Sequence, residues 1–388
     1  MTALPPYLMT SKKGSFARQT IEERKPLIID QILSDFDYTP SIREGLYQLK
    51  EELINKPFRF LSEETSDREI WDHDLANWHG KSWMEIPWFL AEAYFYRRVL
   101  EVVQYFQPGP WFNQDPYQKL KEAELFSAIQ VLLTYLPDEP SEASLNDFQH
   151  ACYRAMWGNR GDLSNMQMFE TDMDAQHDQI ILNHSQSTFD FLRKTPARIA
   201  YFMDNVGKEI LFDLVLIDYI LSTNLAESVT CYLKNQPFFV SDVMPKDLLR
   251  SIDLMAASSD PRAQELAQRL KTQINDQTIT LEAPPFFTTG RMYRDMPQVL
   301  KKQVGAHDLV ILKGDVNYRR LFGDRHWNPT TPVEKAADYF PTSFMSLRTL
   351  KGEIILGMTD DILENIKNDG DPDWLINGKR GMITFHEK

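Results

Sequence analysis

Apolar residues recur at helical spacing through much of the first 155 positions. Phe16–Leu33 carries this pattern around Pro26, a residue that either kinks one helix or sits in the first turn of a second. Ile42–Ile54 repeats it, Trp88–Phe106 resumes it after Pro87, and 123–136 and Leu145–Met156 add two more helices. Between them, Trp71–Trp88 holds Trp71, Trp78, Trp83 and Trp88, which read as core and interdomain packing. A loop of small and turn-forming residues, Trp157–Ser164, then joins a region of different rhythm. Ala197–Met203 is short, apolar and rich in strand formers; Asp204-Asn205-Val206-Gly207-Lys208-Glu209 follows, and then the apolar-periodic run Ile210–Leu221. That order reads as strand, turn, helix. Ser228–Leu233, Phe238–Val240, Thr278–Leu281, His307–Leu312, Ser343–Leu350 and Glu353–Leu356 are expected strands. Pro245–Met255 and Arg262–Ile274 are expected helices, the latter behind an Asp260 cap and Pro261. Alternating strands and helices predict an α/β sheet covered on both faces, behind a mostly helical N-terminal part.

Composition narrows the function. The 388 residues include 42 basic and 56 acidic side chains, a net charge of −14, which argues against a general nucleic-acid binder or a protein of anionic membranes. No stretch approaches the apolar length of a membrane span. Cys152 and Cys231 are the only cysteines, so neither a disulfide framework nor a zinc–cysteine site is supported. A soluble cytoplasmic protein is the expectation.

In an open parallel sheet the acidic residues that follow Ala197–Met203 and Phe238–Val240 fall at strand carboxyl ends, where such sheets bind ligands. Asp204, Asn205 and Asp242 would give a hard divalent cation such as Mg²⁺ or Mn²⁺ two carboxylates and one amide oxygen. Each also has a structural reading as a helix cap or turn residue. Lys313-Gly314-Asp315-Val316-Asn317-Tyr318-Arg319 crowds two cations, a carboxylate and an amide at a strand end. A turn needs Gly, Asp and Asn, whereas flanking Lys and Arg suit a phosphate or sugar. Arg348 and Lys351, three apart at the end of a strand-like segment, need not face the same side and read as ordinary surface charge. Arg97 and Arg98 share a helix with Glu92, where an ion pair is the ordinary outcome.

Taken together, Asp204-Asn205-x-Gly207-x-Glu209, Lys234-x-x-Pro237-x-Phe239-Val240-Ser241-Asp242, Lys313 to Arg319 and Arg348-Thr-Leu-Lys351 resemble the metal-dependent damage-control phosphatase family. The last motif is similar to the RTxK motif of its acidic-residue methyltransferase-like branch. Gly14-Ser-Phe-Ala, Thr20–Arg24, Pro87-Trp88, Ala91-Glu92, Tyr96-Arg97-Arg98 and Trp157–Ser164 extend the likeness along the chain. One departure is Cys231, where the family pattern leads one to expect His.

The resemblance implies an α/β/α sandwich with a mostly parallel central sheet: a helical region over 1–165 and a metal- and phosphate-binding core over 166–388. It implies a divalent metal (Mn²⁺, Ni²⁺, Co²⁺ or Mg²⁺) at Asp204, Asn205 and Asp242, and hydrolysis of fructose phosphates or related small, damaged phosphometabolites. With Lys313 these three form the expected catalytic set. Asp315, Asn317, Tyr318, Arg319, Arg348, Lys351, Glu92 and Arg97 are the expected substrate contacts. Lys313, Arg319 and Lys351 would neutralise the phosphate, and Asp315 and Asn317 would bond sugar hydroxyls. Two other functions stand beside this: an S-adenosylmethionine-dependent glutamate O-methyltransferase, with Glu209 and Asp242 at the cofactor, and a non-catalytic phosphosugar sensor.

Overall fold

The computed structural model describes residues 4–140, 142–158 and 179–388. Seven strands form one sheet: β1 (Ile180–Asn183), β2 (Ala197–Phe202), β3 (Ala226–Tyr232), β4 (Ile279–Glu282), β5 (Leu309–Lys313), β6 (Ser343–Thr349) and β7 (Gly381–His386). Their order is β1-β7-β6-β5-β2-β3-β4, and every neighbouring pair is parallel except β6 with β7. From β2 the chain crosses to β3 on one side, while β5 lies on the other. The carboxyl ends of β2 and β5 therefore flank a topological switch point, the place where open α/β sheets take their ligands.

Side-chain alternation divides the sheet between two cores. Ile199, Tyr201, Leu309 and Ile311 pack beneath the helices Leu145–Trp157 and Lys208–Ser222, whereas Ala200, Phe202, Val310 and Leu312 face the other layer. The expected α/β/α sandwich is thus the observed one. A third core holds the helices Lys25–Asp35, Pro40–Asn55 and Trp88–Val102 together with Trp71 and Trp83. Pro26 breaks nothing, because it occupies the first turn of Lys25–Asp35 behind a π-helical turn at Thr20–Arg24. The expected boundary at 165 and the loop beyond Gly158 lie outside the described residues. The helices Gln118–Tyr135 and Leu145–Trp157 share the core of the sheet. Among the described residues no helix is long and apolar enough to cross a membrane.

Two expected strands are absent. Phe238–Val240 is a tight turn with φ of 41° at Phe239 and 65° at Val240, and Glu353–Leu356 is loop. The strand beside β6 is instead β7, whose apolar side chains are only Met382, Ile383 and Phe385, interrupted by Thr384. It escapes a pattern search because the preceding residues are polar.

Arg97 lies in the third core and not at the cleft expected of a substrate contact. It is fully buried, with Nε 2.6 Å from Asp67 Oδ2 and Nη2 2.7 Å from Glu63 Oε1. Burial alone would raise the Asp67 pKa, but its hydrogen bonds and attraction to Arg97 outweigh this and hold it below 3.8. Arg97→Met leaves two acids without their cation, and urea denaturation should show a loss of about 3–5 kcal/mol. Because the Asp67 pKa is depressed on folding, its stabilising contribution is present at neutral pH and lost as pH falls through the folded value. The acid-induced loss of stability should accordingly be shallower in the variant, and an identical slope would count against the pairing.

Candidate active site

Two loops meet at the carboxyl end of β2. Val206 N donates to Ser241 O at 2.7 Å, Val243 N donates to Asp204 O at 2.9 Å, and Asn205 pairs with Asp242 as an antiparallel bridge. This backbone pairing sets Asp204 (1% exposed) and Asp242 (0%) side by side under the switch point. Gly314, just after β5, makes room for them. At its φ of 77° a Cβ would lie 1.7 Å from Asp204 Oδ2, so only glycine fits. Gly207, at φ 98°, turns the chain into the helix Lys208–Ser222 and aims its first amides at the same region.

The cluster is strongly acidic. Asp242 Oδ2 lies 3.1 Å from Lys234 Nζ, while its Oδ1 is buried with no hydrogen-bond partner among the described residues. Asn205 Nδ2 donates to Asp204 Oδ2 (3.0 Å) and Glu209 Oε1 (2.7 Å), and its Oδ1 accepts from Ser241 Oγ (2.8 Å). Burial, then repulsion from Glu209 and Asp242, pushes Asp204 well above the usual carboxylate range. Burial raises Glu209 to about 7 against the pull of Lys313 and Lys351, and raises Asp242 against Lys234. A cation among these oxygens would relieve both the desolvation and the repulsion. Among the described residues no group of three or more His, Cys, Asp or Glu side chains is placed to hold a metal ion. Two carboxylates and one amide oxygen, those of Asp204, Asp242 and Asn205, have the donor chemistry that a hard cation would take. Such a set leaves positions open for substrate and water oxygens, as hard cations at phosphate sites do.

Above the acids lies a cleft of about 330 Å³. Asp315, Arg319 and Lys351 reach it from the strand ends of β5 and β6, and Lys208 from the helix start. The N-terminal part contributes Trp88 and Glu92. Arg319 is held rigidly: Nη1 donates to Glu92 Oε2 at 2.8 Å, Nε to Asp324 Oδ1 at 2.8 Å, and the guanidinium lies 3.6 Å over the Trp88 ring. Lys25 Nζ completes the network at 2.8 Å from Glu92 Oε1.

Residues 20–365 match the family model of the damage-control phosphatase ARMT1-like domain. The chain belongs to the damage-control phosphatase family. It is 30% identical to damage-control phosphatase ARMT1 of Danio rerio, over 98% of this chain and 97% of that protein. With the Homo sapiens protein of the same name the identity is 28%, over 99% of both chains. A solved DUF89 family protein from Pyrococcus horikoshii shares the fold, with a TM-score of 0.52 and 14% identity over 97% of this chain and all of that one.

Within this damage-control phosphatase four expected site residues lie away from the cleft besides Arg97's separate core position: Lys313, Asn317, Tyr318 and Arg348. The stretch expected as a loop is the helix Gly314–Phe322, so its side chains diverge. Strand alternation sends Lys313 under the helix Lys208–Ser222, 2.9 Å from Asp213 and 3.7 Å from Glu209. Burial would discharge it, yet those two acids keep its pKa above normal, and it neutralises Glu209 rather than a phosphate. Asn317 spends its amide on Lys313 O (2.7 Å) and Phe202 O (3.2 Å) and accepts from the Tyr293 hydroxyl, tying β2 to β5. Tyr318 OH accepts from Leu356 N at 3.0 Å. Arg348 shapes the neighbouring loop, donating to Asp315 Oδ1 (2.7 Å), Ile354 O (2.6 Å) and Gly352 O (3.1 Å). Cys231 is a buried core residue.

Sequence reasoning missed Lys208, Lys25 and Asp324, and left Phe16, Thr20 and Phe239 without a role although they too line the cleft. The signal was present in the motifs around Gly14, Thr20 and Lys234, whose residues lie far apart along the chain.

Gly314→Ala tests the close approach. The added methyl must displace the Asp204 carboxylate and the residue must hold a positive φ, for an expected loss of about 1–3 kcal/mol. Turnover should fall far more steeply than that stability change accounts for. Unaltered turnover would mean that Asp204 has no fixed place.

Proposed function

We propose that this damage-control phosphatase hydrolyses small sugar phosphates of the fructose-1-phosphate or fructose-6-phosphate type with a divalent cation, Mn²⁺, Ni²⁺, Co²⁺ or Mg²⁺, held by Asp204, Asn205 and Asp242. Family membership gives the phosphatase class; the substrate and the cation are our reading. The observation that carries it is the meeting, in one cleft, of a buried carboxylate cluster with Lys208, Arg319 and Lys351. When bound, the cation supplies Lewis acidity toward a phosphoryl oxygen and toward the attacking water.

The chain's own groups do the rest. Lys208, Lys351 and the first amides of Lys208–Ser222 receive the phosphoryl oxygens. Asp315, steadied by Arg348, takes sugar hydroxyls. Lys313 and Lys234, both buried, keep Glu209 and Asp242 from repelling the anionic substrate at full strength. Positioning and charge stabilisation of this kind are what phosphoryl transfer chiefly requires.

Protein stripped of metal should release no phosphate from a panel of sugar phosphates and regain activity on addition of Mn²⁺, Co²⁺, Ni²⁺ or Mg²⁺. Asp204→Asn and Asp242→Asn should stay inactive under every metal, and metal-independent release would contradict the reading. Saturable binding with no release would indicate the sensor, and heat on titration with S-adenosylmethionine the methyltransferase.

A pH dependence also follows. Burial lowers Lys208 to about 8, with Glu124 opposing and Lys351 adding to the shift. Lys208 is therefore charged below that pH and neutral above it, so KM for a sugar phosphate should rise as pH passes about 8. Lys208→Arg, charged throughout, should flatten the rise. A KM–pH profile identical in the two proteins would remove Lys208 from phosphate binding.

A further inference from the structure

The turn that delivers Asp242 carries a backbone feature that the cluster of acids does not explain. Phe239 and Val240 adopt left-handed φ values of 41° and 65° in succession, and neither is glycine. For a β-branched residue this is an outlier, and such strain persists only where the surroundings over-determine it. The surroundings here do so from two sides. Ser241 N closes a tight turn onto Phe239 O at 2.8 Å, and the Phe239 ring packs on Tyr96 at 4.8 Å and on Phe89 at 5.8 Å between centroids. The reversed chain turns Phe239 toward the cleft and, three residues later, places Asp242 beneath it.

Among the described residues three aromatic side chains line the cleft: Phe16, Trp88 and Phe239. Trp88 is 1% exposed, capped by the Arg319 guanidinium and bonded through Nε1 to Thr20 Oγ1 at 2.7 Å. Phe16 is 8% exposed, edge-on to Trp88 at 5.7 Å and covered by Arg24 at 4.7 Å. Phe239 alone of the three is only partly buried. Its ring, with Lys25 Nζ 5.7 Å from its centroid, joins the partly buried Val316 as apolar surface of the cleft open to a ligand whose phosphate lies at the acids and cations nearby. Sugars present C–H faces between their hydroxyls, and an aromatic ring covers such a face well.

We propose that Phe239 is a specificity-determining residue that packs against the carbon skeleton of the substrate, favouring phosphate esters of sugars over esters with a minimal carbon part. The inference rests on the phosphatase reading above and adds a contact to it.

The test is steady-state hydrolysis of fructose 1-phosphate and of ethyl phosphate by the metal-loaded wild type, Phe239→Ala, Phe239→Leu and Phe239→Tyr. Phe239→Ala should lose about tenfold in kcat/KM on fructose 1-phosphate, chiefly through KM, and stay within about twofold on ethyl phosphate. Phe239→Tyr should restore the preference. Phe239→Leu, which keeps apolar packing on Tyr96, should fold and still lose preference. An equal loss on both esters would mean that the ring serves only to place Asp242, and no loss on either would mean that it touches no substrate; both overturn the proposal while the phosphatase reading stands. A wild type that hydrolyses neither ester with any metal overturns the reading and the proposal together.

Discussion

Burying Asp204, Glu209 and Asp242 in one place is the constraint on which the rest of this structure depends. Carboxylates taken out of water next to one another resist ionisation unless cations or hydrogen bonds answer them. The answers here come from two lysines and one amide. Lys234 stands 3.1 Å from Asp242, Lys313 lies 3.7 Å from Glu209, and the Asn205 amide bridges Asp204 and Glu209. Among the described residues one acceptor of Asp242 is still left over. A fold that tolerates this cost at a strand switch point is organised for a ligand that cancels it.

The frame around the acids is rigid for the same reason. Asn317 and the Tyr293 hydroxyl tie the ends of β2 and β5, and Gly314 lets those ends approach within a distance that any side chain would block. Arg319 is held between Glu92, Asp324 and Trp88, so the N-terminal helices are joined to the sheet through the cleft wall itself. The site is therefore a property of both regions, and neither half of the chain builds it alone.

Much of this was legible in the sequence. The strand–turn–helix at Ala197–Leu221 and the parallel sheet follow from apolar periodicity, which reports burial directly. Asp204 and Asn205 lie at the end of β2 as expected, whereas Asp242 reaches them from a turn and not from a strand end. What escaped was direction. Lys313 to Arg319 reads as a single loop of phosphate or sugar ligands, but helical geometry sends Asn317 and Tyr318 inward, and strand alternation buries Lys313 against Asp213. Arg348 and Lys351 likewise part company, one shaping a loop and the other reaching the cleft. Lys208 and Lys25 acquire meaning only through partners distant in the chain, which periodicity does not encode. The turn at Phe239 and Val240 looks like a strand because its residue types favour one. Tertiary packing overrides that preference.

The most direct measurement is equilibrium binding of Mn²⁺ to the purified, metal-stripped chain by isothermal titration, compared with Asp204→Asn and Asp242→Asn. The account predicts one site per wild-type chain and its loss in each variant, with the circular dichroism of the fold retained. Undiminished Mn²⁺ binding in either variant would contradict it.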